Sequence, residues 1–178
     1  MERSSDERRI TLSELLDSRE KRAMHQQELL KRDNSLLVSV TLNIPGPVKD
    51  RPIYRKVMDI ALERLISSLP EGSVLCEEQM FLPTGPEGYV LVSQKFLSSE
   101  ALKRITVKLE EADDLGRLFD MDVLNKDGGV CRADLGRSGR KCLICGDNAK
   151  ICARSQKHSV EELIDRIDQI IRAAGIEE

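Results

Sequence analysis

Apolar residues recur along this chain in two periods, which predict different elements. Helical spacing runs over 12–31, where Thr11 and Glu14 form a capping-box pattern at the start. Asp50 is the expected N-cap of a second helix, which Pro70 ends, and Ser159 with Glu162 repeats the capping box before the last one. The same spacing thus predicts further helices over 52–69, 99–112 and 160–174.

Runs of β-branched and apolar residues predict the strands of a sheet. They lie at 36–44, 74–82, 89–93, 115–125 and near 129–134. Two hairpin turns are predicted between them, Gly-Pro-Glu-Gly at 85–88 and Asp-Gly at 127–128, and a short helix is predicted near 147–153. Because helices are mixed with hairpin-connected strands, the chain is predicted to have an α+β fold, with a mixed or antiparallel sheet packed with helices.

Composition narrows the class of protein. A length of 178 residues favours one domain, which we predict over 11–178. The polar residues 1–10 are predicted to form a flexible N-terminus. Aromatic residues make up 3% of the chain, and its 28 basic and 31 acidic side chains are interspersed, which argues against a nucleic-acid partner. A charged N-terminus, short apolar runs and five cysteines favour a cytoplasmic protein with free thiols and no membrane partner.

The segment Asp120-Met121-Asp122 is the first candidate for chemistry. On a strand, residues i and i+2 point to the same face, so the two carboxylates could hold a divalent cation together. Magnesium held in this way would neutralise charge on a leaving diphosphate. Gly116 and Arg117 precede the pair and place a basic group beside it. A solvated strand face is the alternative interpretation.

Cys142, Cys145, Cys152 and His158 form the second candidate. Cys-x-x-Cys is a zinc-knuckle spacing, and a third cysteine and a histidine would complete a tetrahedral set. The alternative is that the thiols pack as small apolar groups while His158 helps to cap the following helix. The irregular second half of the pattern favours this alternative over zinc.

Basic residues around the cysteines form a third candidate, a polyphosphate site, since arginine side chains fit phosphate oxygens in a bidentate manner. Lys49, which follows the rigid Pro45–Pro47 turn, is a further candidate for a phosphate contact. A solvated basic loop is the alternative interpretation. The members of the set are Arg137, Arg140, Lys141, Lys150, Arg154 and Lys157.

Four separated blocks resemble the holo-citrate lyase synthase family, whose members are also called apo-citrate lyase phosphoribosyl-dephospho-CoA transferases. The similarity extends from about residue 11 to 172, and the order of the blocks along the chain makes it specific. The blocks are 43–50, 85–88, 115–124 and 140–158.

The resemblance implies a transferase. Its donor would be triphosphoribosyl-dephospho-CoA, its acceptor a serine of the acyl carrier (gamma) subunit of citrate lyase, and its leaving group diphosphate. Asp120 and Asp122 would bind magnesium, and one of them would help to deprotonate the serine. The donor would be contacted by Gly116, Arg117, Arg140, Arg154 and Lys49.

This is nucleotidyl-transfer chemistry, and a nucleotidyltransferase-like fold is one form that the predicted sheet could take. Typical nucleotidyltransferases place a Gly-Ser turn and a short helix before such an Asp-x-Asp strand. This chain has the predicted helix at 99–112 without the turn.

Two other functions compete with the transferase hypothesis. One is a non-catalytic, zinc-stabilised module that binds an acidic carrier protein through the basic residues of the first helix. The other is a redox-active dithiol protein, which requires a reactive thiolate at Cys142 or Cys145.

Overall fold

The computed structural model describes residues 7–32 and 34–177, which contain a five-stranded antiparallel sheet packed with helices. The strands are β1 Ser35–Leu42, β2 Val74–Leu82, β3 Gly85–Ser93, β4 Phe119–Asn125 and β5 Gly128–Val130. The helices are α1 Leu12–Leu29, α2 Pro52–Ser67, α3 Ser99–Glu111, α4 Ala149–Ser155 and α5 Val160–Ala173. The strand order β2-β3-β1-β4-β5 confirms the predicted α+β class.

One face of the sheet carries the main hydrophobic core. Val38 and Val40 of β1 lie opposite Val123 and Met121 of β4, so these four side chains share a face. They are buried together with residues of α2, α3 and α5. The intervening residues of the same strands therefore point to the opposite face, where the polar positions of β1 and β4 lie.

Helix α1 lies over that opposite face, where its C-terminal residues Leu29 and Leu30 join a small apolar cluster and its earlier turns make polar contacts. The Ser18 hydroxyl lies 2.8 Å from the Thr84 hydroxyl, and Gln26 Nε2 donates to Ser39 Oγ at 2.9 Å. Leu12 and Leu16, which belong to the apolar spacing that predicted this helix, are 72% and 48% exposed. The periodicity therefore identified the helix correctly, although these two residues face solvent.

The predicted turn at 85–88 is wrong, because these residues form the first part of β3. The hairpin turn lies at Pro83-Thr84, directly before Gly85, whose φ of 113° suits a residue without a side chain. β1 pairs with β3 only from Gly88 onward, so the missing N–H of Pro86 removes no hydrogen bond on that side.

Three other predicted boundaries are corrected. The strand predicted at 115–125 begins at Phe119, because 116–118 form a 3-10 turn, and the strand predicted near 129–134 ends at Val130, before a 3-10 turn over 133–135. The N-cap of α2 is Arg51 rather than Asp50, since the Asp50 carboxylate accepts a 2.8 Å hydrogen bond from Arg55 Nε instead.

We expect Gly116→Ala to lower the free energy of unfolding by about 1–3 kcal/mol, which is typical of overpacking. A Cβ atom at Gly116 would lie 2.3 Å from the Leu109 carbonyl oxygen, so α3 and the 3-10 turn would have to separate. Urea denaturation measures the change. Gly129→Ala is the matched control, because a Cβ atom there would lie no closer than 3.9 Å to its nearest neighbour, the Val123 carbonyl oxygen. Equal effects of the two substitutions would contradict this account.

Candidate functional site

Asp120 and Asp122 share the polar face of the sheet, where Thr41 and Ser39 of β1 lie opposite them. Asp120 is half-buried and Asp122 is exposed. Desolvation first, and then the negative charge of Asp120, raises the pKa of Asp122 above its ordinary value. Two neighbouring carboxylates of this kind attract a cation.

The edge of β4 beyond the short strand β5 is completed by side chains of α3. Lys103 Nζ donates to the Met121 carbonyl at 2.9 Å, and the Met121 N–H donates to Glu110 Oε1 at 2.8 Å. Lys103 and Glu110 are both buried. They satisfy backbone groups that a neighbouring strand would otherwise bind, and they hold the backbone between the two aspartates in place.

Arg140 joins this edge to the carboxylate pair. Its Nη1 donates to the Phe119 carbonyl at 2.8 Å, while its Nη2 donates to Glu110 Oε1 at 2.6 Å and to Asp120 Oδ1 at 2.7 Å. Arg132 also pairs with the Glu110 carboxylate. The planar guanidinium of Arg140 thus contacts three acceptors at once, a geometry that a lysine cannot reproduce.

A cavity of about 200 Å³, here called the aspartate cavity, opens beside Asp120. Desolvation first, and then the nearby Arg19, lowers the pKa of Lys49 in its wall. Three of the four blocks that carry the family resemblance meet here, although they are far apart in the sequence. The cavity is lined by Leu15, Arg19, Arg22, Thr41, Leu42, Asn43, Ile44, Lys49, Thr84, Gly85, Pro86 and Asp120.

A buried carboxylate orients Arg22 toward this cavity. Glu87 Oε1 accepts hydrogen bonds from Arg22 Nε at 2.9 Å and from Nη2 at 2.6 Å, and Glu87 is almost fully buried. The hydroxyl of Tyr89 donates to the other oxygen of Glu87. The pairing of an acid in the predicted turn with a base in α1 depends on tertiary packing, so no local sequence pattern could have identified Arg22 as a cavity residue.

A second cavity, of about 540 Å³, is rich in positive charge and is called the arginine cavity. Arg117 and Arg140, both predicted as substrate contacts, lie in its wall, and Arg117 Nη2 also donates to the Cys142 carbonyl at 2.6 Å. Asn43 lines this cavity and the aspartate cavity, so the two adjoin. The basic residues of the wall are Arg117, Arg132, Arg137, Arg140 and Lys141.

The predicted cysteine and histidine ligands lie together. One ligand atom from each of Cys142, Cys145, Cys152 and His158 lies within 4.8 Å of the others, so the group could hold a metal ion. Burial alone would raise the pKa of the Cys142 thiol, but hydrogen bonds from the backbone N–H groups of Cys145 and Ile144 lower it. Burial and the neighbouring cysteines raise the pKa of Cys152 to about 11. Four converging ligands fit metal binding better than a two-thiol redox site.

Two predicted substrate contacts lie elsewhere. Arg154 is exposed on α4 and lines neither the aspartate cavity nor the arginine cavity. Gly116 is buried, and its N–H donates to Asp113 Oδ1 at 2.7 Å. Its position permits the close turn that places Arg117 at the wall of the arginine cavity.

The carboxylate pair is chemically suited to magnesium. Hard carboxylate oxygens are the ligands that magnesium prefers, and it binds through one or two of them together with substrate phosphates. Within the described residues, the Asp122 carboxylate accepts no hydrogen bond, whereas Asp120 Oδ1 accepts one from Arg140. Asp122 and the second oxygen of Asp120 are therefore the groups that would hold the ion.

The chain matches a known protein family over most of its length. The family model described as apo-citrate lyase phosphoribosyl-dephospho-CoA transferase matches residues 10–174. The chain belongs to this family. The transferase family named by the four sequence blocks is thereby confirmed, and a non-catalytic carrier-binding module is not favoured.

Several curated relatives carry the same description. A probable apo-citrate lyase phosphoribosyl-dephospho-CoA transferase of Streptococcus pyogenes serotype M3 is 38% identical over 92% of this chain and 86% of its own length. One of Vibrio cholerae serotype O1 is 38% identical over 90% of this chain and 91% of its own length. Protein CitXG of Haemophilus influenzae is 36% identical over 94% of this chain, which spans only 36% of that relative.

Among the described residues, the helices are too short or too polar to cross a membrane.

Proposed function

We propose that this protein transfers the phosphoribosyl-dephospho-CoA group from triphosphoribosyl-dephospho-CoA to a serine of the citrate lyase acyl carrier subunit. The proposal rests chiefly on one observation. Asn43, Lys49, Gly85 and Asp120, from three of the family blocks, line one cavity, and the fourth block supplies Arg140 to Asp120. The names of the family and of its relatives specify the transferred group and citrate lyase as the target.

The reaction is a displacement at phosphorus. The serine oxygen attacks the α-phosphorus of the donor triphosphate, and the bond from that phosphorus to the bridging oxygen of the β-phosphate breaks. A phosphodiester forms, diphosphate leaves with the electron pair of the broken bond, and the serine proton passes to a base. We assign that base to Asp122, a solvent-exposed residue beside Asp120 whose carboxylate makes no hydrogen bond within the described residues.

Positive charge stabilises the phosphates along the two adjoining cavities. Arg140, which is anchored on Phe119 and Glu110, presents a fixed guanidinium next to Asp120, and fixed charges of this kind are the main source of rate enhancement in phosphoryl transfer. Arg117 faces the arginine cavity, where we place the departing diphosphate. Arg154 would contact only a donor that extends beyond these cavities.

We propose magnesium as the ion of Asp120 and Asp122, where it would supply charge neutralisation for the leaving diphosphate. For the Cys142, Cys145, Cys152 and His158 group we propose zinc, because three thiolates and one imidazole are a ligand set of structural zinc sites. The five free cysteines fit a reducing compartment, so we place the reaction in the cytoplasm.

A transfer assay tests this function. The purified protein, magnesium and triphosphoribosyl-dephospho-CoA are mixed with the apo carrier subunit, and the intact mass of the carrier is followed. We expect a mass gain equal to the prosthetic group. A carrier whose acceptor serine is replaced by alanine is the control and should gain nothing. No gain on the intact carrier, with folded protein and a donor that a related transferase accepts, would overturn the proposal.

A further inference from the structure

We infer that a zinc ion bound by Cys142, Cys145, Cys152 and His158 positions Arg140, and so assembles the donor site at Asp120. This inference deepens the proposed function and rests on it for its catalytic part. The zinc site itself rests on geometry that is independent of the reaction.

The first two ligands lie in a loop that backbone hydrogen bonds hold closed. The Cys142 N–H donates to the Asp147 carbonyl at 2.6 Å, and the Gly146 N–H donates back to the Cys142 carbonyl at 3.2 Å. Gly146 has a φ of 73°, which a glycine adopts without strain. An isolated antiparallel bridge between Lys141 and Asn148 closes the base of the loop. The Cys-x-x-Cys-Gly segment is therefore held in a knuckle.

The other two ligands complete the set from the far side. Cys152 lies one turn inside α4, and its sulfur is 3.5 Å from the sulfur of Cys145. His158 follows α4, and its Nε2 atom is buried without a hydrogen-bond partner among the described residues. A histidine that lies beside three sulfurs and has a buried ring nitrogen without a partner is explained by coordination to a metal.

The segment around the four ligands buries few side chains. Between residues 131 and 159 the buried residues are Cys142, Leu143 and Cys152, and two of these three are proposed ligands. A segment with so small a core depends on a metal for a fixed conformation, as small zinc-binding domains do. Four protein ligands leave no open coordination position, so the ion would be structural and would not contact the substrate.

Two direct connections lead from this group to the proposed donor site. The Arg140 carbonyl accepts a 2.9 Å hydrogen bond from the Ala149 N–H, and Arg140 precedes the first ligand, Cys142, by two residues. The carbonyl of Cys142 accepts a 2.6 Å hydrogen bond from Arg117 Nη2. Loss of the ion would allow the backbone at Arg140 to move. It would also displace the Cys142 carbonyl, to which Arg117 donates its hydrogen bond.

The test compares the wild type with Cys145→Ser and His158→Ala, and with Cys131→Ser as the matched control, because Cys131 is exposed and lies outside the group. We expect about one zinc ion per chain in the wild type and the control, and much less in the other two variants. Their kcat/KM for the donor should fall by up to about 100-fold, as displacement of a positioned group allows. Limited proteolysis should cut 131–159 in these variants, with the helical content of the rest unchanged.

Positioning through Arg140 is separated from general loss of structure by a double-mutant cycle. In an Arg117→Met, Arg140→Met background, Cys145→Ser should cost little further activity, because both groups through which zinc acts are already gone. Additive losses would overturn the positioning role. Restored activity after cadmium replaces zinc would exclude a chemical role for zinc itself.

The outcomes for the zinc site and for the proposed function are distinguishable. Wild-type protein that binds no zinc, or a His158→Ala variant with full zinc content, would overturn the site whatever the activity. Stoichiometric zinc that protects 131–159 from proteolysis, in a protein that transfers nothing, would instead retain the site and refute the proposed reaction.

Discussion

Asp122→Asn is expected to lower the rate of prosthetic-group transfer by about 100- to 1,000-fold, the range seen when one preorganised charge-stabilising group is lost. The substitution keeps the size of the side chain but removes both the proposed base and one of two proposed magnesium ligands. Because Asp122 is exposed and lies next to a second carboxylate, its neutralisation relieves repulsion and should leave the fold intact. Carrier mass against time gives the rate, and circular dichroism verifies the fold.

Asp127→Asn is the matched control for this substitution, because Asp127 is an exposed acid in the adjoining β4–β5 turn. It should transfer at close to the wild-type rate. If Asp122→Asn also retained wild-type activity at saturating magnesium, the carboxylate pair would not be the catalytic site. The arginine cavity and its neighbours would then have to contain the reacting groups.

Arg140→Lys should lower kcat/KM for the donor by about 100-fold, although it preserves the charge. A lysine has a single nitrogen and cannot bind the Phe119 carbonyl, Glu110 and Asp120 together in the planar geometry of a guanidinium. The positive charge would therefore be displaced from the position where charge develops in the transition state. Steady-state kinetics with varied donor concentration measure the effect.

Arg137→Lys is the control for Arg140→Lys, since Arg137 lines the same cavity but is more than half exposed and lies 3.4 Å from Glu111. Its effect should be within about threefold, because exposed ion pairs contribute little free energy. Equal losses in the two variants would mean that the cavity binds phosphate by net charge alone, without a special position for Arg140.

Local sequence patterns predict the placement of those candidate residues that share one strand or one short motif. Alternation along β4 places Asp120 and Asp122 on one face, and the Cys-x-x-Cys spacing marks half of the metal-ligand group. Capping boxes likewise located the starts of α1 and α5, which the structure confirms. In these cases the deciding interactions join residues only a few positions apart.

The remaining parts of the site depend on contacts between distant segments. Nothing near Lys103 or Glu110 in the sequence indicates that they bind the edge of β4, since a lysine and a glutamate on a helix are normally solvated. The glycines and the proline around Glu87 predict a turn, yet its carboxylate is buried and pairs with Arg22. Pairings of this kind are decided by the assembled sheet and cannot be derived from local patterns.

The polar contacts of α1 imply that its earlier turns separate from the sheet at a lower free-energy cost than the main core unfolds. The face of the sheet opposite α1 is held by a continuous apolar core. The C-terminal end of α1 packs through Leu29 and Leu30 into a small apolar cluster, whereas the rest of the helix is held by hydrogen bonds and ion pairs such as those of Ser18 and Arg22. Ion pairs weaken as ionic strength rises, and helical turns that bury little apolar surface separate at a lower free-energy cost than the core unfolds. Since Leu15, Arg19 and Arg22 of α1 form one wall of the aspartate cavity, we expect separation of these turns to widen the cavity while the sheet beneath it stays folded.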